Sequence, residues 1–229
     1  VNNTSGQILT NGNLTITANT ADATVQANNS IFQTAKNLVL ELFNIKGEGT
    51  TVQAQDIKVN ANNVELKKSN ITATTDSLAI SATENIDLST SEQIAANNSI
   101  SLSAKDITLN ESKVFNQVSE DDNENKNISI TANNLNATNL DLTSANKVDV
   151  KVSENVNLIE ADLYAGNTLS IDAKDIDNTN GKIASNEDMI ITANGNVNNT
   201  SGQILTNGNL TITANHADTT VQADNPIFQ

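Results

Sequence analysis

Carboxylate side chains are the groups in this chain with the clearest potential for chemistry. The 229 residues include 27 Asp and Glu, and a pair of carboxylates can hydrolyse a glycosidic bond. If the short apolar segments beside them stack, several would align on one face as a polysaccharide-cleaving site. The alternative is that they are solvated aspartates at the turns of an acidic chain. The candidates are Asp149, Lys151 and Asp172 on one set of segments, and Asp87, Asp106, Asp141 and Asp175 near another.

Two features of the composition disfavour that site. The chain has no Arg, which removes a common lyase base, and aromatic residues make up only 2% of it, which removes sugar-stacking platforms. No nucleophile triad, phosphate-binding loop or zinc-ligand spacing is present either. We therefore predict that the chain is not an enzyme and that it needs no cofactor.

A second acidic group is more compact. Glu120, Asp121, Asp122 and Glu124 could hold Ca²⁺ together with backbone carbonyls. The group lacks the glycine and the fixed spacing of a calcium-binding loop, which favours a hydrated loop instead. Because loops carry most specific contacts, we predict that these four residues form a contact loop rather than a metal site.

The overall charge restricts the partners. The net charge is −15, and all twelve basic residues are Lys. Nucleic acid and anionic membranes both require clustered positive charge, so neither is expected as a partner. No apolar run approaches 18 residues, so no transmembrane segment is expected. The absence of Cys excludes a disulfide framework.

A short phrase recurs about every twenty residues. Each copy alternates apolar and polar residues, as LTITA does, which indicates a β-strand rather than a helix. Successive copies start 19 to 28 residues apart. The ten copies start at Leu14, Leu38, Ile57, Leu78, Ile100, Ile128, Val148, Leu169, Met189 and Leu210.

Twenty residues cannot enclose a core alone, but stacked units can. Most units contain one or two further short aliphatic segments, separated by residues that favour turns. If each unit is one coil, equivalent strands pair in parallel with the coils above and below. The sequence therefore predicts an all-β fold, a single continuous β-helix over residues 1–229 with about ten coils. The usual handedness of β-crossovers makes it a right-handed parallel β-helix.

Two long steps interrupt the period. The 28-residue step contains the polar run NQVSEDDNENKN, and we predict an extrahelical loop over residues 116–127. The 24-residue step predicts a smaller excursion over residues 20–33.

A longer repeat lies above the coils. Residues 1–33 match residues 197–229 at 29 of 33 positions, which gives a period of 196 residues. One of the four differences replaces Ser30 by Pro226. Proline cannot donate to a central ladder, so this position must be a turn or an edge. Repeating a whole block lengthens a rod without a new core, and it gives a catalytic cleft no advantage.

Three units share the frame N-x-x-G-x-I followed by L/M-x-I-x-A, and this frame resembles a known family. It is similar to the repeats of filamentous haemagglutinin-type exoproteins, a group that includes contact-dependent growth inhibition effectors. The resemblance covers about a fifth of the chain, in NTSGQILTNGNLTITA (3–18), NTNGKIASNEDMIITA (178–193) and NTSGQILTNGNLTITA (199–214).

The resemblance implies a long bacterial protein, secreted through an outer-membrane transporter partner and displayed on the cell surface. It implies a β-helical shaft that presents an adhesive or toxic tip and binds a receptor on a host or bacterial cell. Adhesin and toxin-delivery roles both stay open. The alternatives are a β-helical polysaccharide-degrading enzyme and a receptor-binding segment of a contact-dependent inhibition effector.

Overall fold

Parallel strands stack into a β-solenoid of about ten turns, with equivalent residues about 21 positions apart. The computed structural model describes residues 1–18, 20–116 and 124–214, and the backbone of residues 221–222 and 227–228. All regular structure in these residues is β-strand. The predicted all-β, parallel β-helical architecture is therefore confirmed. The described residues include no helix long and apolar enough to cross a bilayer.

Each coil contributes strands to three parallel ladders. Ladder 1 contains the alternating phrases found in the sequence. The long strands Asp56–Lys67 and Leu78–Asp87 begin in this ladder and continue round the corner into the next one. Its other strands are Leu14–Ala18, Asn37–Leu42, Ile100–Ser103, Ile128–Ala132, Val148–Val152, Leu169–Ala173, Met189–Ala193 and Leu210–Ala214.

Ladder 2 holds the second short segment of each coil. The second parts of the two long strands belong to it. Its other strands are Thr24–Gln26, Asn44–Glu48, Asp106–Thr108, Asn134–Asn136, Asn155–Asn157, Asp175–Asp177, Val197–Asn198 and Val221–Gln222.

Ladder 3 is an 11-stranded sheet. It contains the second of the further aliphatic segments that the sequence shows in several units. Its strands are Gln7–Thr10, Ile31–Thr34, Thr51–Ala54, Asn70–Ala73, Gln93–Ala96, Lys113–Asn116, Asp141–Ser144, Asp162–Ala165, Lys182–Ser185, Gln203–Thr206 and Ile227–Phe228.

The core is one column of aliphatic side chains. Alternation along each strand points every second residue inward, and the parallel register stacks it on its equivalent. Leu102, Ile130 and Val150 illustrate this, because they pair in register and each is only 1% exposed. Burial of such a side chain contributes about 1.5–3 kcal/mol. The described coils share a single apolar cluster, so they form one continuous core.

The corner between ladders 2 and 3 has the same backbone form in every described coil. One residue per coil has a φ between 48° and 68°, the left-handed region. Gly and Asn tolerate that region best, and they occupy four of the ten corner positions. The corner residues are Ser5, Asn29, Gly49, Lys68, Thr90, Glu111, Asn139, Glu160, Asn180 and Ser201.

A buried row of hydroxyl groups follows this corner in the first half of the rod. The backbone N–H of Thr50 donates to the Ser69 hydroxyl at 3.1 Å, and the N–H of Ser69 donates to Ser91 at 3.1 Å. Ser30 occupies the equivalent position between a turn and a strand, and its hydroxyl donates to the Asn3 carbonyl. The predicted turn position of Ser30 is therefore confirmed, whereas Pro226 lies outside the described residues.

Residues 20–33 and 116–127 are the two segments that the sequence predicts to be irregular. The excursion predicted over residues 20–33 is wrong for most of its length, because Thr24–Gln26 and Ile31–Thr34 are regular ladder strands. Only the corner before Thr24 is long. For the predicted loop over residues 116–127, residues 117–123 lie outside the described part of the chain. Asn116 ends a ladder 3 strand, and ladders 1, 2 and 3 all continue after residue 127.

Candidate functional site

The outer face of ladder 1 carries the first group of predicted acidic residues. Lys151 Nζ lies 2.6 Å from Asp149 Oδ2, and the Ser170 hydroxyl donates to Asp149 Oδ1 at 2.7 Å. Asp172 is the register partner of Lys151 on the next coil. The structure therefore brings these three charged residues together on two adjacent coils, as the sequence predicted.

The electrostatics of this group differ from those of a glycosidase acid. Burial raises the pKa of Asp149, but the hydrogen bonds from Lys151 and Ser170 outweigh it, so the pKa lies below its usual value. A general acid needs the opposite shift, because it must hold its proton near neutral pH. The Asp149 carboxylate is ionised and already paired, which gives it the features of a surface ion pair.

The outer face of ladder 2 carries a row of carboxamide and carboxylate side chains, here called the amide rank. Its members stack from coil to coil, and five of its asparagine amides donate to the neighbouring member at 2.7–3.2 Å. Each bond joins adjacent coils, so the rank reinforces the backbone ladder beneath it. Its members are Asn44, Asn63, Asn85, Asp106, Asn134, Asn155, Asp175 and Asn196.

Two predicted acidic residues belong to this rank and a third lies beside it. Asp106 accepts from Asn134 at 2.7 Å, and Asp175 accepts from Asn196 at 3.0 Å. Asp87 lies next to the rank and contacts Lys67 Nζ at 3.0 Å. The hydrogen bond to Asp87 raises the pKa of Lys67. These carboxylates are therefore partners in contacts between coils.

The predicted position of Asp141 is wrong. Asp141 begins a strand of ladder 3, in register with Lys113 on one side and Asp162 on the other. A short aliphatic alternation looks the same in either ladder, and only the left-handed residue Asn139 before it marks the corner. The seven acidic-site candidates thus lie on three different faces of the solenoid and do not form one cleft.

The contact-loop residues are only partly described. Glu120, Asp121 and Asp122 lie outside the described residues, so their role as contact residues stays a prediction. The backbone carbonyl of Glu124 accepts a hydrogen bond from Asn146 Nδ2 at 2.6 Å. Among the described residues, no group of three acidic, His or Cys side chains could hold a metal ion.

The described end of this segment is anchored by residues that the sequence did not single out. Lys126 is 1% exposed, and its carbonyl accepts from the Ser144 hydroxyl at 2.6 Å. The same hydroxyl oxygen lies 3.0 Å from Asn116 Oδ1, at the other end of the segment. Asn146 donates to Asn127 at 2.9 Å and is also buried. No sequence signal marks a lysine for burial, because its length and charge usually keep it in water.

Two aromatic side chains on the outer face of ladder 3 were also missed. Phe115 and Tyr164 occupy equivalent outward positions, with Thr143 on the coil between them. Tyr164 is 44% exposed. A concavity of about 250 Å³ next to Phe115 is bordered by Lys113 and Asp141. This face combines apolar and charged groups next to Asn116, where the predicted loop begins.

The raised pKa of the Asp56 carboxyl predicts that the stability of the fold depends on pH. Burial raises the pKa of Asp56, and the negative charge of Asp76 adds to the shift. The charged form is therefore disfavoured in the fold, and this penalty disappears as the pH falls below the unfolded pKa of about 4. We expect Asp56→Asn to raise the free energy of unfolding at neutral pH and to have no effect at about pH 3. Asn37, the register neighbour, shows that asparagine fits this position.

Urea unfolding at the two pH values measures this difference. A stabilisation of equal size at both pH values would contradict the assignment, because it would reflect packing or strand propensity rather than charge.

Comparison of the chain with family models, with curated proteins and with solved structures finds no match. The fold therefore rests on its own strand pairing and burial. The three segments with the N-x-x-G-x-I frame stay a resemblance.

Proposed function

We propose that this chain is a shaft segment of a long secreted bacterial exoprotein on the cell surface. The shaft presents an adhesive or toxic tip and mediates cell adhesion or contact between cells. The observation that carries the proposal is the unbroken stacking of three ladders over one core, combined with the 196-residue repeat. Each added copy of such a repeat lengthens the solenoid and keeps the same kind of core, as a shaft requires.

The proposal includes export through an outer-membrane transporter in an unfolded state. Each coil contacts mainly its neighbours, so folding can proceed coil by coil as the chain emerges. The chain has no Cys, so no disulfide obstructs its passage. The receptor on a host or bacterial surface would contact the tip or an irregular part of the shaft.

Surface display provides the direct test. Intact cells that produce the parent protein should bind an antibody raised against this chain, and external protease should remove the signal. Loss of the outer-membrane transporter should abolish surface labelling while the chain remains detectable inside lysed cells. Labelling only after lysis in cells with the transporter would contradict the proposal.

The enzyme alternative has a separate test. We expect the chain to release no reducing or unsaturated ends from acidic polysaccharides. Release that is lost in Asp149→Asn or Asp172→Asn would replace the shaft by a polysaccharide-degrading function. The matched control is Asp162→Asn, an exposed carboxylate on a different face.

A receptor-binding role for the loop segment is a second candidate, supported by the exposed aromatic face beside it. Replacement of residues 117–123 by a short Gly-Ser linker should abolish cell binding if this role holds, while the circular dichroism of the solenoid is kept. Tyr164→Ser should weaken binding in the same assay, because the exposed ring lies on that face. Unchanged binding by both variants would remove this candidate.

A further inference from the structure

Two aromatic side chains share the outer face of ladder 3, in the middle of the solenoid. Aromatic residues make up only 2% of the chain, and the sequence therefore predicts no sugar-stacking platform. The fold nevertheless brings Phe115 and Tyr164 into one register column, with Thr143 on the coil between them. Tyr164 is 44% exposed, and Phe115 is partly exposed. Both rings can therefore be reached from solvent.

Small side chains separate and flank the two rings. Along the solenoid axis, the outward column reads Ala95, Phe115, Thr143, Tyr164 and Ala184. Each ring is larger than both of its neighbours, so it projects beyond them. The rings are two coils apart, which is roughly 9.5 Å at the usual strand spacing. The column is thus a pair of apolar platforms at a fixed distance.

The space next to Phe115 is small and has polar edges. The concavity of about 250 Å³ is bordered by Lys113 and Asp141. Drug-sized ligands occupy about 300–1,000 Å³, so this space suits a smaller unit such as one hexose ring. Sites for small ligands usually combine apolar or aromatic walls with a few polar groups, as this one does.

The two charged groups at the concavity are available to a ligand. Lys113 and Asp141 are register partners, yet neither side chain forms an ion pair within the part of the chain that the structure describes. On ladder 1, by contrast, Lys151 contacts Asp149 at 2.6 Å. The Lys113 ammonium can donate to a ligand hydroxyl, and the Asp141 carboxylate can accept from one.

We propose that Lys113, Phe115, Asp141, Thr143 and Tyr164 bind a neutral β-1,4-linked glucan that lies along the solenoid axis. The hydroxyls of such a sugar are equatorial, so each ring presents C–H groups on its faces and hydroxyls at its edge. Alternate rings have the same orientation, and this two-ring repeat is close in length to the spacing of the aromatic side chains. The aromatic rings stack on alternate sugars, and the sugar between them lies over Thr143.

The charge of the chain favours a neutral polymer over an acidic one. The net charge is −15, which repels an acidic polysaccharide. Beside the rings, Lys113 and Asp141 balance each other. The inference goes beyond the proposed shaft, because it assigns a ligand to the side of the solenoid and requires neither export nor surface display.

Affinity electrophoresis of the purified chain tests the proposal. A native gel that contains hydroxyethylcellulose, a soluble β-1,4-glucan, should retard the chain relative to a gel without polymer. Phe115→Ser and Tyr164→Ser should each weaken binding roughly tenfold, because each removes one of two platforms. Both side chains point outward, so circular dichroism should be unchanged. Absence of retardation would overturn the proposal and would leave the surface-display test unaffected, because this assay uses no cells.

A variant with a shifted ring tests the spacing. Tyr164→Ala/Ala184→Tyr keeps the composition and the face but moves the second ring one coil further along ladder 3. The rings are then three coils apart, roughly 14 Å, and no longer match the two-ring repeat. This variant should bind as weakly as Tyr164→Ser. Binding as tight as that of the parent chain would overturn the proposal, because it would show general apolar adhesion.

One further variant and two further polymers are the controls. Ile190→Ser removes an apolar side chain of similar exposure, 50%, from the outer face of ladder 1 and should leave binding unchanged. Soluble starch, an α-linked glucan that coils, and polygalacturonate, an acidic polymer, should not retard the chain. Equal retardation by starch would overturn the assigned linkage, and tighter binding of polygalacturonate would overturn the neutral ligand class.

Discussion

Ile130→Asp is expected to divide the solenoid into two independently unfolding parts. Ile130 is 1% exposed and lies between Leu102 and Val150 in the column of the core. The substitution removes an aliphatic side chain and buries an unpaired charge, which together cost roughly 5 kcal/mol or more. Because each coil depends on its neighbours, the loss is greatest at this coil and separates the two halves. Urea unfolding followed by far-ultraviolet circular dichroism should show two transitions instead of one.

Thr131→Asp is the matched control for this experiment. It introduces the same charge one residue further along the same strand, on the exposed outer face. Its register partner is Lys151, so the new carboxylate has a cation beside it. A small effect is expected, within about 1 kcal/mol. If Ile130→Asp were as mild as Thr131→Asp, residue 130 could not face the core and the strand register would be wrong.

The sequence predicts the inward face of ladder 1 because a strand has a period of two. Leu38, Leu40 and Leu42 alternate with exposed or partly exposed residues, and all three are buried. A helix or a disordered chain has no reason to keep such alternation ten times. The repeat length then leaves stacking of coils as the way to enclose a core. The fold class therefore follows from local pattern and period alone.

The sequence does not predict which outward residues share a face, because corner lengths are not visible in it. Asp141 follows a left-handed corner residue and joins ladder 3, whereas Asp106 has no such residue before it and joins ladder 2. Lys126 is buried where its carbonyl accepts from Ser144 and Asn146 on the next coil, and no local sequence pattern encodes contacts of this kind. For this reason, acidic residues that lie on three different faces look in the sequence as if they could form one site.

The N-x-x-G frame has a physical explanation that the sequence alone did not supply. In the coils that carry it, the Asn side chain fills the corner between ladders 2 and 3, and its amide lies where a side chain on the Gly would lie. The coil before residue 178 has Leu158 and Ala161 at the equivalent positions. A large apolar residue that is followed three positions later by a small residue therefore fills the same corner in another way.

Gly181→Ala should destabilise the solenoid, and Asn178→Leu should relieve part of that loss. A Cβ atom on Gly181 would lie 2.6 Å from the Leu158 carbonyl oxygen and would contact the Asn178 amide. Overpacking of this kind costs about 1–3 kcal/mol. The double variant reproduces the Leu158 and Ala161 pair and removes the clash with the amide, while the close approach to the Leu158 carbonyl remains. It also loses the hydrogen bond from Asn178 to Asn199, which contributes about 1 kcal/mol, so the recovery is partial.

A double-mutant cycle of urea unfolding measures the coupling between the two positions. We expect a coupling of about 1 kcal/mol or more in favour of the double variant, since the two side chains compete for one space. Asn178→Leu alone should be destabilising, because Asn199 keeps a buried carbonyl oxygen without its donor. Strictly additive effects would contradict this account, because they would show that the asparagine and the glycine are selected independently. The frame would then be a record of duplication, and the corner would place no requirement on it.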